Sequence, residues 1–216
     1  MKKLVGLVMV LLLGTVAANA ANVLTFSGFQ QPYETILSYY NGGFGGMGSG
    51  PGPSFGVVFG PDALALPNGP SSNVENEPGG STGSMIFLSG PGDIMNVIGG
   101  FTTGFSFFYS APYYTGSVTV YDGPDATGSV LATLFLDLNG SYCDGILPYT
   151  CWTPIGVSFA GTAMSVDFSG TPNYIAFSNV TLGSATPGNV PEPGSLVLFG
   201  TGALGMAGAI RRKLNL

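Results

Sequence analysis

From residue 21 to residue 182 apolar side chains recur at every second position in short runs, and most runs end at Gly, Pro, Asn or Asp. A period of two with that punctuation predicts strands, because successive side chains of a strand face opposite sides. The runs cover residues 23–26, 55–59, 63–66, 85–88, 105–109, 117–121, 130–136, 155–159, 164–168 and 174–182. Val118 and Val120 are placed to pair with Val130, Ala132 and Leu134 across a hairpin whose loop reads DGPDATG. Ile155, Val157 and Phe159 share one face, as do Met164, Val166 and Phe168, with residues 160–163 as the turn between them. In the last run Ile175 and Phe177 share a face, while Val180 and Leu182 fall out of phase. A β-bulge near Ser178 and Asn179 would turn them inward again. No helical period competes, so the pattern predicts an all-β domain: a two-sheet antiparallel sandwich, jelly-roll-like.

The two ends break this rhythm. MKKLVGLVMVLLLGTVAANA places two lysines before an apolar stretch and Ala18-Asn19-Ala20 after it, the layout of a signal peptide cut by signal peptidase after Ala20. At the other end, residues 194–210 carry no charge and are just long enough for a bilayer-spanning helix. Arg211, Arg212 and Lys213 follow as a stop-transfer group that favours the cytoplasmic side. Pro191 and Pro193 keep the chain before that span extended. Pro191-Glu192-Pro193, a Gly-containing apolar span and an Arg-rich end, together with the leader, resemble the PEP-CTERM sorting signal of Gram-negative bacteria. The resemblance implies recognition and processing by an exosortase, and an association with exopolysaccharide and the cell envelope or biofilm. SYYNGGFGG and the closing YIAFSNVTLG are similar to ectodomains carried by such proteins, a likeness that implies no defined activity. The expected organisation is a signal peptide at 1–20, a sandwich at 21–183 and a linker with the Pro-Glu-Pro motif at 184–193. A transmembrane helix with its basic end follows at 194–213. The expected location is a membrane-anchored precursor, exported across the inner membrane, and then the envelope or extracellular matrix.

Composition changes the picture in two ways. The 36 Gly and 16 Pro approach the level of disordered chains, yet 45% hydrophobic and 12% aromatic residues supply enough buried surface for an ordered, turn-rich domain. All five Lys and Arg lie at the termini, there is no His, and ten of the eleven carboxylates fall between residues 21 and 190. A domain without cations cannot neutralise phosphates, which excludes nucleic acid as a partner. It also lacks a His or Lys base for a nucleophilic triad and an imidazole for zinc.

The remaining chemistry is sparse. Cys143 and Cys151 are the only cysteines of an exported chain, so a disulfide is expected. It would fix the protruding loop that carries Tyr149, with Trp152 beside it. Asp122 and Asp125 in one turn are candidate calcium ligands, although Asp-Gly and Pro-Asp are also ordinary turn chemistry. Glu75 and Glu77 flank Asn76 in a second polar loop. Otherwise no cofactor is expected. Tyr39, Tyr40, Tyr109, Tyr113, Tyr114, Tyr149 and Trp152 are amphipathic aromatics of the kind that stack on sugar rings, or that build a core. Tyr113, Tyr114 and Trp152 are the named candidates. Residues 41–53, NGGFGGMGSGPGP, read as a flexible surface loop. Ten carboxylates permit glycoside hydrolysis in principle, but no pair is marked by its surroundings, and a noncatalytic protein is expected. The function expected is structural or adhesive in exopolysaccharide, with a calcium-dependent carbohydrate-binding module as the alternative and an exported glycan-active enzyme third.

Overall fold

In the computed structural model, residues 21–88, 92–171 and 174–188 are described. The leader, Pro191, Glu192, Pro193, the apolar span and Arg211, Arg212 and Lys213 lie outside the described residues. The strands in chain order are β1 (Asn22–Leu24), β2 (Glu34–Thr35), β3 (Val57–Phe59), β4 (Ala63–Pro67), β5 (Gly83–Phe87) and β6 (Ile94–Phe101). They continue with β7 (Gly104–Ser110), β8 (Gly116–Tyr121), β9 (Val130–Leu136), β10 (Thr153–Ser158), β11 (Ala163–Gly170) and β12 (Ala176–Leu182). One sheet runs β10-β7-β12-β5-β4-β2, with β1 also paired to β12; the other runs β3-β6-β11-β8-β9. Every pairing between these strands is antiparallel.

From β5 onward the chain is a nested ribbon, in which β8 pairs β9, β7 pairs β10, β6 pairs β11 and β5 pairs β12. Wrapping such a ribbon around a core sends its arms alternately to the two sheets. The resulting orders β5-β12-β7-β10 and β6-β11-β8-β9 are jelly-roll topology.

Alternation fills the space between the sheets. Phe105, Phe107, Phe168, Phe177 and Phe87 point inward from five positions on four strands and are fully buried. Their rings pack face to face (Phe87 on Phe168, 4.5 Å) and edge to face (Phe107 on Phe177, 5.2 Å), which adds to the area they remove from water.

The bulge expected in the last strand is present. Between Ser178 and Thr181 the register of β12 against β7 slips by one residue, and Asn179 takes a left-handed φ of 48°. Ile175, Phe177, Val180 and Leu182 therefore all join the core.

Other expectations are corrected. Residues 155–159 and 164–168 do not form a hairpin: β10 pairs β7 in one sheet, and β11 pairs β6 and β8 in the other. The turn between them is a crossing between sheets. A register shift between Ala163 and Ser165 makes Ala163, not Met164, the core companion of Val166 and Phe168. β6 is a full strand where no run was read, because Asn96 and Gly99-Gly100 interrupt its inward residues Met95, Val97 and Phe101.

Residues 41–53 are ordered rather than flexible. They fold around the buried carboxylate of Glu34, whose Oε1 accepts from the amides of Met47 (2.9 Å) and Ser49 (3.0 Å), while Oε2 accepts from Ser49 Oγ (2.6 Å). Three donors offset the cost of taking that charge out of water. Gly45 is required here, since a Cβ would meet Glu34 Oε1 at 2.5 Å.

Candidate functional site

β4 and β5 are apolar on both faces. Ala63, Ala65, Met85 and Phe87 enter the main core, while Leu64, Leu66 and Ile86 face the other way into a second cluster with Val74, Tyr149 and Ala176. The run ALAL therefore shows no polar alternation: both sides of the strand are covered.

Two loops supply the cover. Residues 70–76 lie against residues 142–152, with the Glu75 amide donating to Tyr149 O (3.4 Å) and the Tyr149 amide donating to Asn73 O (3.2 Å). Side chains complete the clamp. Glu75 Oε1 accepts from the Ile146 amide (3.0 Å), Asn76 Nδ2 donates to Asp144 O (2.8 Å), and Trp152 Nε1 donates to Glu75 O (3.1 Å). The Cys143–Cys151 disulfide closes the second loop, with a Cα separation of 5.2 Å.

Where this cover stops, a groove of about 530 Å³ opens over β4 and β5. Its floor is Leu64, Leu66, Ile86 and Leu88, and its walls carry Tyr33, Tyr113, Tyr142, Tyr149 and Tyr174 beside Ser72, Asn73 and Pro148. Tyr113 stands edge-on to both Tyr149 (6.4 Å) and Tyr174 (6.3 Å), and Tyr114 leans on Tyr174 from outside (4.8 Å). Tyr33 and Tyr142 hold left-handed φ values of 62° and 57°, uncommon for a bulky side chain.

Among the described residues lining the groove there is no carboxylate and no cation. Burial raises the Tyr149 phenol above its ordinary value, and Tyr113, Tyr174 and Tyr33 add to the effect. Desolvation also raises Tyr113, with neighbouring Tyr142 contributing. The protonated phenols of Tyr113 and Tyr149 can each donate as well as accept.

The expected site residues are distributed unevenly around this groove. Tyr113 is in its wall and Tyr114 is just outside. Trp152 is half-buried on the second cluster and braces the loop pair instead of lining the groove. Tyr39, Tyr40 and Tyr109 belong to the main core; the Tyr40 hydroxyl accepts from the Phe26 amide at 2.7 Å. Sequence reasoning missed Tyr33, Tyr142 and Tyr174. All three stand at strand ends or in loops, and that shared placement was the available signal.

Asp122 and Asp125 lie in the β8–β9 loop, as expected. Asp122 Oδ1 accepts from the Ser129 amide (2.6 Å), and Asp125 Oδ1 accepts from Asn96 Nδ2 (2.7 Å) while its own amide donates to Asn96 Oδ1 (2.8 Å). Each thus gives one oxygen to closing the hairpin loop or fastening it to β6. No group of three or more metal-ligating acidic or Cys side chains occurs among the described residues.

A family model describing the PEP-CTERM protein-sorting motif matches residues 189–213. The chain carries a PEP-CTERM sorting signal. That signal implies export, a membrane-anchored precursor and processing by an exosortase. No curated protein matches this chain.

Similarity to solved structures is partial. A carbohydrate-binding module of Cellvibrio mixtus lichenase 5A in complex with cellotriose aligns with 60% of this chain and 97% of its own, at 11% identity and a TM-score of 0.36. The CBM22-1–GH10 modules of Clostridium thermocellum xylanase 10B, complexed with xylohexaose, align with 60% of this chain at 20% identity and a TM-score of 0.36. A family 43 arabinoxylan arabinofuranohydrolase from Bacillus subtilis aligns with 59% at 19% identity and a TM-score of 0.37. This chain spans 26% of the length of each of the latter two.

Proposed function

We propose that this protein is a noncatalytic structural or adhesive component of the exopolysaccharide matrix, placed at the cell exterior through its PEP-CTERM tail. The sorting motif at residues 189–213 is the observation that carries this reading: it marks the chain for export and exosortase processing, and the association of such signals with exopolysaccharide supports the rest. The disposition of carboxylates supports a role without catalysis. Acid–base cleavage of a glycosidic bond uses two carboxyl groups facing one cleft. Here the described groove is lined by none, Glu34 is saturated by loop donors, and Glu75 holds the Cys143–Cys151 loop.

The test is fractionation of the producing cells with intact-mass measurement of the mature chain. Recovery in the extracellular matrix, shortened at both ends, is expected. Replacing Pro191 and Pro193 with Ala should hold the precursor at the membrane. A full-length protein free in the cytosol sinks the reading, and hydrolysis of host polysaccharide by the pure protein sinks its noncatalytic part.

A further inference from the structure

We propose that the tyrosine groove over β4 and β5 binds a neutral polysaccharide chain, with sugar rings laid on the phenol faces and hydroxyls bonded to the rim; this deepens the matrix reading and rests on it. Five tyrosines arrive from separate parts of the chain, Tyr33 before β2, Tyr113 after β7, Tyr142 next to Cys143, Tyr149 within the disulfide loop, and Tyr174 before β12. Four of these are 44–57% exposed, which core-building rings are not. Exposed aromatics gathered on one concave surface mark a binding site more often than a packing accident.

The walls are also held in advance of any ligand. Tyr33 and Tyr142, like eight other described non-glycine residues, occupy left-handed backbone, a conformation that persists where the surrounding structure enforces it. The wall holding Tyr142, Pro148 and Tyr149 is stapled by a disulfide and by Glu75, so little motion has to be frozen on binding.

Charge selects the ligand. Uncharged phenol and amide groups rim an aliphatic floor, matching a molecule with apolar ring faces and hydroxyl edges. The domain has no cation between residues 21 and 190 and carries ten carboxylates, so uronate-rich, sulfated or phosphorylated polymers meet repulsion and find no counter-charge. The cavity of about 530 Å³ falls in the ordinary range of small-molecule sites, roughly 300–1,000 Å³, and admits a short stretch of a longer chain.

The experiment uses the mature protein in detergent. Its affinity is measured by electrophoresis through gels holding xylan, mannan, β-glucan, the neutral fraction of host exopolysaccharide, or alginate. Binding to at least one neutral polymer and none to alginate is expected. Tyr113→Ala with Tyr174→Ala should weaken binding at least ten-fold with thermal unfolding unchanged, because both rings are about half exposed. The Tyr113→Phe, Tyr174→Phe pair should retain most of the affinity, and Phe44→Ala, which does not line the groove, all of it. Equal binding to alginate, no binding to any neutral polymer, or full affinity in the double Ala variant would overturn the proposal. So would capture of a protein partner that those two changes abolish while the gels stay blank. If the protein fractionates with the matrix and the double Ala variant does so equally, the groove assignment fails and the matrix reading stands. Absence of wild-type protein from the matrix removes the reading itself.

Discussion

Glu77 shows how one side chain in a cation-free domain governs its response to acid. Its carboxyl is nearly buried, accepts one bond from Asn68 Nδ2 (2.8 Å), and has no partner at Oε1 among the described residues. Burial, reinforced by Glu75, pushes its pKa up to about 7 from 4.5. The folded state therefore prefers the protonated carboxyl. Its stabilising effect is complete below the unfolded value near 4.5 and disappears as pH rises through 7, a change of at most about 3 kcal/mol. Urea melts should give a more stable protein at pH 5 than at pH 8, and Glu77→Gln should flatten that slope while keeping the Asn68 bond. A slope unchanged by the substitution would show that other carboxylates set it. None of this was legible in the sequence, where Glu75 and Glu77 look alike. Only the fold makes one a loop clamp and the other a buried acid.

At the scale of elements, local phase was readable and long-range pairing was not. The slip between Phe177 and Val180 can be seen in the residues themselves, so the bulge in β12 was foreseeable. β10 and β11 are equally clear as strands, but nothing local says that each pairs with a strand far away in sequence. The same limit hid the groove: Tyr113 and Tyr114 read as turn residues, whereas the convergence of Tyr33, Tyr142 and Tyr174 depends on which strand ends meet.

Two substitutions probe these elements. Asn179→Val puts a β-branched residue at φ 48° and removes the bond from Asn179 Nδ2 to Pro78 O (2.9 Å). A loss of about 2–3 kcal/mol is expected in equilibrium unfolding. Cys143→Ser with Cys151→Ser should lower stability by about 2–3 kcal/mol. The same pair should weaken neutral-glycan binding, since the freed loop carries Tyr142 and Tyr149; affinity equal to wild type would separate the loop from the site.

For the molecule as a whole, the confinement of basic residues to the termini leaves the folded domain without a side-chain counter-charge. With no carboxylate or cation in the groove lining and the Tyr113 and Tyr149 phenols raised above their ordinary values, affinity for a neutral glycan should be flat from pH 5 to 9 and insensitive to salt. Affinity electrophoresis across that range checks this, and a steep fall in salt would point to a charged ligand. The nested ribbon also fixes an orientation. Tyr174 enters β12 at one end, whereas the described chain leaves from the other, where the Gly188 amide donates to Thr181 Oγ1 (2.9 Å). At strand rise those ends stand roughly 20 Å apart. The tyrosine groove and the last described residues thus lie toward opposite ends of β12, so a surface that holds this protein from its C-terminal side would leave the groove uncovered.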